Sequence, residues 1–197
     1  MNSSSRASSQ VEPLRIESSE RPADRFKDLR LAVLIPCYNE AAAIEQVVAG
    51  FRAALPSARI IVFDNNSTDA TVALAGKAGA ETRHVHQQGK GHVVRRMFAD
   101  VEADVYLLVD GDATYDAASA PAMIDRLVQE GLDMVVACRR DSEIAAYRPG
   151  HRFGNRILTE FVAHVFGRAF TDILSGYRVF SRRFAKSFPA LATGFEI

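Results

Sequence analysis

Apolar runs at 31–35, 60–63, 106–109 and 134–138 recur along the chain, and each stops on a polar or turn-forming residue. They are short and nearly continuous, as expected of strands buried on both faces. Between them, apolar residues return at helical spacing: Ile44, Val47, Val48 and Phe51, then Val93, Val94, Met97 and Phe98, then Met123, Ile124, Leu127 and Val128. A weaker helical stretch carries Val72, Leu74, Ala75 and Ala78, and a short strand is expected near 81–86. Pro36 should end the first strand, with Asn39 capping the helix after it. Asn65-Asn66-Ser67-Thr68-Asp69 is turn chemistry that also caps a helix, and Ser119 with Pro121 marks another helix start.

This alternation predicts an α/β fold, a mostly parallel sheet flanked by helices. After residue 140 the rhythm changes. A basic, glycine-containing loop at 148–156 precedes a helix with Ile157, Leu158, Phe161, Val162, Val165 and Phe166 on one face, and Asp172-Ile173-Leu174-Ser175-Gly176-Tyr177-Arg178 follows. Residues 1–29, rich in Ser, Arg and Glu without sustained periodicity, read as a disordered leader to a single domain over 30–197.

Composition changes this picture little. The chain has 197 residues, 48% hydrophobic and 24% charged, enough for one domain with a real core. Lys+Arg and Asp+Glu both number 24, so the global charge argues against a nucleic-acid partner and any anion site must be a local cluster. Cys37 and Cys138 read as buried free thiols, in keeping with a reducing cytoplasm. No apolar run reaches the roughly 18 residues of a membrane span, and the N-terminus lacks the apolar region of a secretory signal.

The candidate chemistry gathers at expected strand ends. Asp64, Asp110 and Asp112 lie there, the last two separated only by Gly111. Strand-end aspartates are often turn formers or caps. Two carboxylates side by side, however, repel unless a cation or proton intervenes, which suits a hard divalent ion with open positions for phosphate oxygens. Gly89-Lys90-Gly91, before a helix, is a candidate phosphate loop, although the longer Walker A spacing is missing. Arg139, Arg148, Arg152, Arg156 and Arg178 form a basic group that reads either as solvated surface or as a clamp for a phosphate-bearing molecule. His84 and His86 would share a strand face, but no third metal ligand sits at recognisable spacing.

Ile35-Pro36-Cys37-Tyr38-Asn39-Glu40, Asp64-Asn65-Asn66-Ser67-Thr68-Asp69, Gly89-Lys90-Gly91, Asp110-Gly111-Asp112-Ala113-Thr114-Tyr115 and the 172–178 segment, in this order and spacing, resemble the family 2 inverting glycosyltransferases of GT-A fold. The closest likeness is to the dolichyl- or polyprenyl-phosphate sugar transferase branch. The resemblance implies a Rossmann-like sheet and a nucleotide-sugar donor, UDP- or GDP-linked. It implies that Pro36, Tyr38, Glu40, Asp64 and Asn66 hold the nucleobase and ribose, with Lys90 nearby. Asp110 and Asp112, with Gly111 between them, would bind Mg²⁺ or Mn²⁺ and the diphosphate. Arg139, Arg152 and Arg156 would close over phosphates, and Ser175 and Arg178 would face the acceptor phosphate. A lipid-phosphate acceptor needs little base help; for a hydroxyl acceptor, Asp172 is the candidate base. The implied location is the cytoplasm, at the inner face of a membrane.

The chain stops at Gly194-Phe195-Glu196-Ile197, similar to the start of a segment that continues in family members, so part of the acceptor side is expected to be missing. Two alternatives stay open at this stage. One is a haloacid-dehalogenase-like phosphatase with Asp110 attacking phosphate, although the later paired acids that family needs are not found. The other is a non-catalytic nucleotide-sugar binding module.

Overall fold

The computed structural model describes residues 25–137 and 175–187. Its strands are β1 (Leu31–Cys37), β2 (Arg59–Asp64), β3 (Glu81–His84), β4 (Val105–Leu108), β5 (Met134–Val136) and β6 (Arg178–Ser181). Its helices are α1 (Ile44–Ala54), α2 (Thr71–Lys77), α3 (Lys90–Asp100), α4 (Ala120–Gln129) and α5 (Arg182–Ser187). One six-stranded sheet forms in the order β3-β2-β1-β4-β6-β5. β1 to β4 run parallel, while β6 pairs antiparallel with both β4 and β5. The mixed α/β architecture agrees with the sequence reading. The helix expected at 157–166 lies outside the described residues.

Alternation along the strands builds two cores. Leu31, Val33 and Ile35 of β1, Ile60 and Val62 of β2 and Val105 and Leu107 of β4 face one side, which α1 and α4 cover with Ile44, Val48, Phe51, Ile124 and Leu127. Ala32, Leu34, Ile61, Phe63, Tyr106 and Leu108 face the other, against Val93, Val94, Met97 and Phe98 of α3 and Ala185 of α5. Burial on both faces explains why these strands read as continuous apolar runs. Packing starts before residue 30, within the stretch assigned to the leader: Phe26 is buried in the first core, and Arg25 pairs with Asp125 of α4.

Three local expectations need correction. Pro36 lies inside β1, paired with Phe63, and does not end it. Leu34 C=O accepts from Val109 N–H at 3.1 Å on one side, and Cys37 C=O accepts from Asn65 N–H at 2.9 Å on the other. Alternation therefore points Pro36 towards β4, whose ladder has already ended at Leu34–Leu108, so no N–H is needed there. Asn39 does not cap α1; that position is Ala43, without a side-chain cap. Ser119 holds the cap position of α4, but its hydroxyl donates to Asp116 C=O at 2.7 Å instead of capping.

Candidate active site

In a parallel sheet all strands end at one edge, and in open α/β folds that edge takes ligands. Here it gathers Cys37, Asp64, His84 and Leu108, the last residues of β1 to β4. Because β6 runs the other way, its first residue, Arg178, pairs with Leu108 at the same edge. The 175–177 segment thus arrives beside Asp110, although it lies far away in sequence.

The loops after β1 and β2 are laced together. Asn39 N–H donates to Ser67 Oγ at 2.9 Å, Glu40 N–H to Thr71 Oγ1 at 2.8 Å, Ala41 N–H to Asp69 Oδ2 at 3.1 Å, and Thr68 N–H to Asn39 Oδ1 at 2.8 Å. Hydrogen bonds from Thr71 hold the Asp69 carboxyl below its ordinary range. Buried Asn65 ties down the next loop. Its amide donates to Val85 C=O at 2.9 Å and Gln87 C=O at 2.8 Å, and its Oδ1 accepts from Gly89 N–H at 2.8 Å. Gly89 needs its glycine backbone, with φ at 128°, to turn the chain into α3. Among the described residues, the non-glycine residues with positive φ, Asn39, Asn66 and Ala113, all sit in loops at this edge. Such strain persists where surrounding structure over-determines it and tends to mark functional sites.

The acidic centre lies just past β4. Asp110 Oδ1 accepts from Lys90 Nζ at 2.5 Å, and a Cβ on Gly176 would fall onto the rest of that carboxylate. Gly176 is fixed in turn, its N–H donating to Tyr115 Oη at 2.7 Å. Asp112 is exposed and accepts from Thr114 N–H at 3.0 Å. A Cβ on Gly111 would lie 2.8 Å from Cys37 Sγ and 3.3 Å from Glu40 Cγ, so only glycine fits between them. Burial, then the Asp112 and Asp110 charges, hold the Glu40 carboxyl above the usual range. Burial likewise pushes the Cys37 thiol up, so it is an inert packing group.

This excess of negative charge at hard oxygen donors fits a divalent cation. Among the described residues no three His, Cys, Asp or Glu side chains converge into a closed metal site, so a cation here would depend on ligand oxygens as well. Among the described residues, the cation paired with Asp110 is Lys90.

Asp64 is buried; it accepts from Ser67 N–H at 3.2 Å and from His84 Nδ1 at 3.0 Å. The His84 and His86 rings meet edge to face at 4.5 Å. Tyr38 is the most exposed large hydrophobic residue of the edge, at 49%. Asn66 donates to His86 C=O at 3.1 Å and to Gln88 Oε1 at 2.9 Å.

The structure therefore brings Pro36, Tyr38, Glu40, Asp64, Asn66, Lys90, Asp110, Gly111 and Asp112 to one edge. Ser175 is fully buried, and its hydroxyl accepts from Tyr177 N–H at 3.3 Å, as in a turn. Arg178 Nε donates to Ser175 C=O at 2.9 Å at this edge. Arg139, Arg148, Arg152, Arg156, Asp172 and Cys138 lie outside the described residues. Sequence reasoning missed the roles of Asn65, Tyr115 and Gly176. The one available signal was the clustering of small and amide residues inside the motifs.

The profile described as "Glycosyl transferase family 2" matches residues 32–188. The chain belongs to glycosyl transferase family 2. That assignment removes the phosphatase reading of Asp110. Among family relatives, Protein RfbJ of Shigella flexneri is 55% identical over 128 residues, covering 64% of this chain and 99% of that protein. Glycosyltransferase AglJ of Haloferax volcanii is 39% identical over 173 residues, covering 85% of this chain but 55% of that one. The polyprenol monophosphomannose synthase of Mycolicibacterium smegmatis is 29% identical over 185 residues, covering 84% of this chain and 66% of that one. The fold matches the crystal structure of Mycobacterium tuberculosis glucosyl-3-phosphoglycerate synthase in complex with Mn²⁺, UDP-glucose and phosphoglyceric acid. The TM-score is 0.67 at 23% identity, covering 83% of this chain and 60% of that one, and establishes the GT-A-type fold. Among the described residues, no helix of this family 2 domain is long and apolar enough to cross a membrane.

Proposed function

We propose that this chain acts as an inverting glycosyltransferase that moves a sugar from a UDP- or GDP-sugar to a polyprenyl-type lipid phosphate or another cell-envelope glycan acceptor. The observation that carries the reading is the convergence of Tyr38, Glu40, Asp64, Lys90, Asp110 and Asp112 at the ligand-binding edge of a family 2 domain. The lipid acceptor is supported by the polyprenol monophosphomannose synthase relative, and a UDP-linked donor with a metal by the complex named for the solved neighbour.

Asp110 and Asp112 would hold Mg²⁺ or Mn²⁺. When bound, the ion supplies Lewis-acid neutralisation of charge developing on the departing diphosphate. Exposed Tyr38 offers a stacking face for the base, and the laced loops at 38–41 and 65–71 fix the backbone beside it. Asp64, its carboxylate oriented by His84 and Ser67, offers an acceptor for a base or ribose donor. Lys90 supplies a positive charge for phosphate oxygens. Arg178, with Arg139, Arg152 and Arg156 from outside the described residues, would complete the phosphate contacts. A lipid phosphate is already an anion, so catalysis rests on in-line positioning; a hydroxyl acceptor would need Asp172 as base.

The test is titration of the purified chain with UDP and GDP, with and without Mn²⁺. One nucleotide should bind, at least about tenfold tighter with the metal, and Asp112→Asn should remove the metal dependence. Absence of binding by both nucleotides, or binding that ignores metal and substitution alike, sinks the reading. Nucleotide binding without sugar transfer to any lipid phosphate would leave a binding module and overturn the transfer step.

A further inference from the structure

Asp110 is held from two sides. Lys90 Nζ stands 2.5 Å from Oδ1, while the remainder of the carboxylate fills the space that a Gly176 side chain would occupy. Gly176 is itself pinned by Tyr115 Oη, and the neighbouring Tyr177 ring is buried against Phe51 and Tyr115 at centroid distances of 5.8 and 5.5 Å. The carboxylate is therefore not free to swing away from Lys90. The lysine is anchored at its other end, since it opens α3 directly after Gly89, whose N–H is fixed by Asn65. What remains mobile is the four-carbon stem and its ammonium head. Among the described residues, Asp110 and Asp112 lie at the same edge as this ammonium, and the carboxylate it touches is that of Asp110.

We infer that Lys90 is a resident counter-ion of this centre, which a divalent cation must displace from Asp110 and which then moves onto the donor diphosphate. The inference rests on the metal-nucleotide reading above. Two cations compete for one carboxylate, so a metal arriving alone forfeits the Lys90–Asp110 pair. A metal arriving with a diphosphate breaks the same pair, but the released ammonium gains a new anion in exchange. Metal and nucleotide then bind with positive coupling, and the coupling is reciprocal by thermodynamic linkage. The device disfavours occupation by a bare metal ion and makes the ion arrive with the donor. Lys90 is thus a coupling residue in addition to a phosphate contact. A purely structural lysine that only held Asp110 in place would behave differently, because its removal would weaken metal and nucleotide alike.

The experiment measures free Mn²⁺ by electron paramagnetic resonance with the full chain, in the absence and presence of UDP or GDP, for wild type, Lys90→Met, Lys90→Gln and Lys90→Arg. Nucleotide binding without metal is followed by calorimetry. In the wild type, nucleotide should tighten Mn²⁺ binding. Lys90→Met should bind Mn²⁺ alone about tenfold tighter, bind metal-free nucleotide more weakly, and lose most of the coupling. Lys90→Gln keeps a polar partner for Asp110 and should show the same opposed changes should the methionine variant fail to fold. Lys90→Arg should stay close to the wild type. Mn²⁺ binding that is unchanged or weaker in the neutral variants, with wild-type coupling retained, overturns the counter-ion role and leaves the metal-nucleotide reading standing. Absence of Mn²⁺ binding to the wild type with either nucleotide overturns both.

Discussion

The Glu40 carboxyl is held above its usual range by burial first, then by the Asp112, Asp110 and Asp69 charges. The sign of its effect on stability follows. An acid whose pKa is raised by folding carries a penalty in its charged form. That penalty is absent well below the ordinary glutamate value of about 4.3 and sets in as pH rises past it. Glu40→Gln should therefore melt higher than wild type at pH 7, with the difference shrinking towards pH 4. Calorimetric melts at both pH values check this; a variant less stable at pH 7 would show that the carboxylate makes a favourable contact. Tyr177 offers a second test. Its hydroxyl is buried near Ser119 but within normal hydrogen-bond geometry of no group among the described residues, and burial pushes it up to about 12. Tyr177→Phe should leave stability unchanged or raise it by up to about 1 kcal/mol, since no well-formed bond among the described residues is lost with the hydroxyl. A drop larger than that in a denaturant melt would reveal a partner. At this scale Asp110 and Asp112 were legible in the sequence, because a strand-ending pair of carboxylates needs a local explanation. Gly176 and Ser175 were not. What fixes them is a carboxylate or a backbone group brought close by folding, and no spacing rule announces it.

Elements were legible where both faces of a strand are buried, because β1, β2 and β4 then stand out as unbroken apolar runs. β6 was not: only Val179 and Phe180 of its four residues are buried, and it inserts antiparallel between β4 and β5 without a crossover signature. Yet this strand brings Gly176 and Arg178 to the edge beside Asp110, so the part of the edge that β6 supplies was the least readable. Pro36 misled for a related reason: its lack of an N–H matters only where a ladder needs one, and the neighbouring strand has already stopped. The loops show the same dependence on partners. Asn65 reads as a turn residue, but it is a buried fastener that gives two hydrogen bonds to the 85–87 backbone and takes one from Gly89. Asn65→Ala should cost about 2–3 kcal/mol, because buried backbone groups lose their partners. It should also raise amide exchange first in the 85–90 loop, where Lys90 begins α3. Mass-detected hydrogen exchange would show this; uniform exchange across the domain would instead mean that the loop is held by other contacts.

Among the described residues the two edges of the sheet differ in how their charges are paired. The edge where β1 to β4 end gathers Asp64, Asp110, Asp112 and the non-glycine residues of positive φ. The opposite edge, where β1 and β4 begin and β6 ends, is clamped by paired charges. Arg30 grips Asp104 with Nε at 3.0 Å and Nη2 at 2.5 Å, and its N–H adds a third bond at 3.0 Å. Asp133 takes Arg183 at 2.9 Å through two nitrogens and Ser181 Oγ at 2.8 Å, while Lys186 and Arg182 reach Glu102 at 2.7 and 3.0 Å. Proteins commonly give up stability where a site needs strain and unpaired charge, and recover it elsewhere. The division predicts how the domain meets acid. Hydrogen bonds from Arg30 hold the Asp104 carboxyl down at about 2, and the Asp133 and Glu102 carboxyls are lowered in the same direction by their partners. A carboxylate lowered on folding stabilises the fold above its unfolded value, near 4 for aspartate, and that contribution disappears as pH falls towards its folded value. Melting temperature should therefore fall steadily between pH 5 and pH 2 as this edge is neutralised, while Glu40 at the ligand edge opposes the trend. Asp104→Asn should melt lower than wild type at pH 7, lose less on going to pH 3, and respond less to added salt, since the exposed Arg30 pair is screened. Parallel melts of wild type and Asp104→Asn from pH 7 to pH 3 decide it: acid limbs of equal steepness would mean that the clamp at the opposite edge does not carry the acid sensitivity.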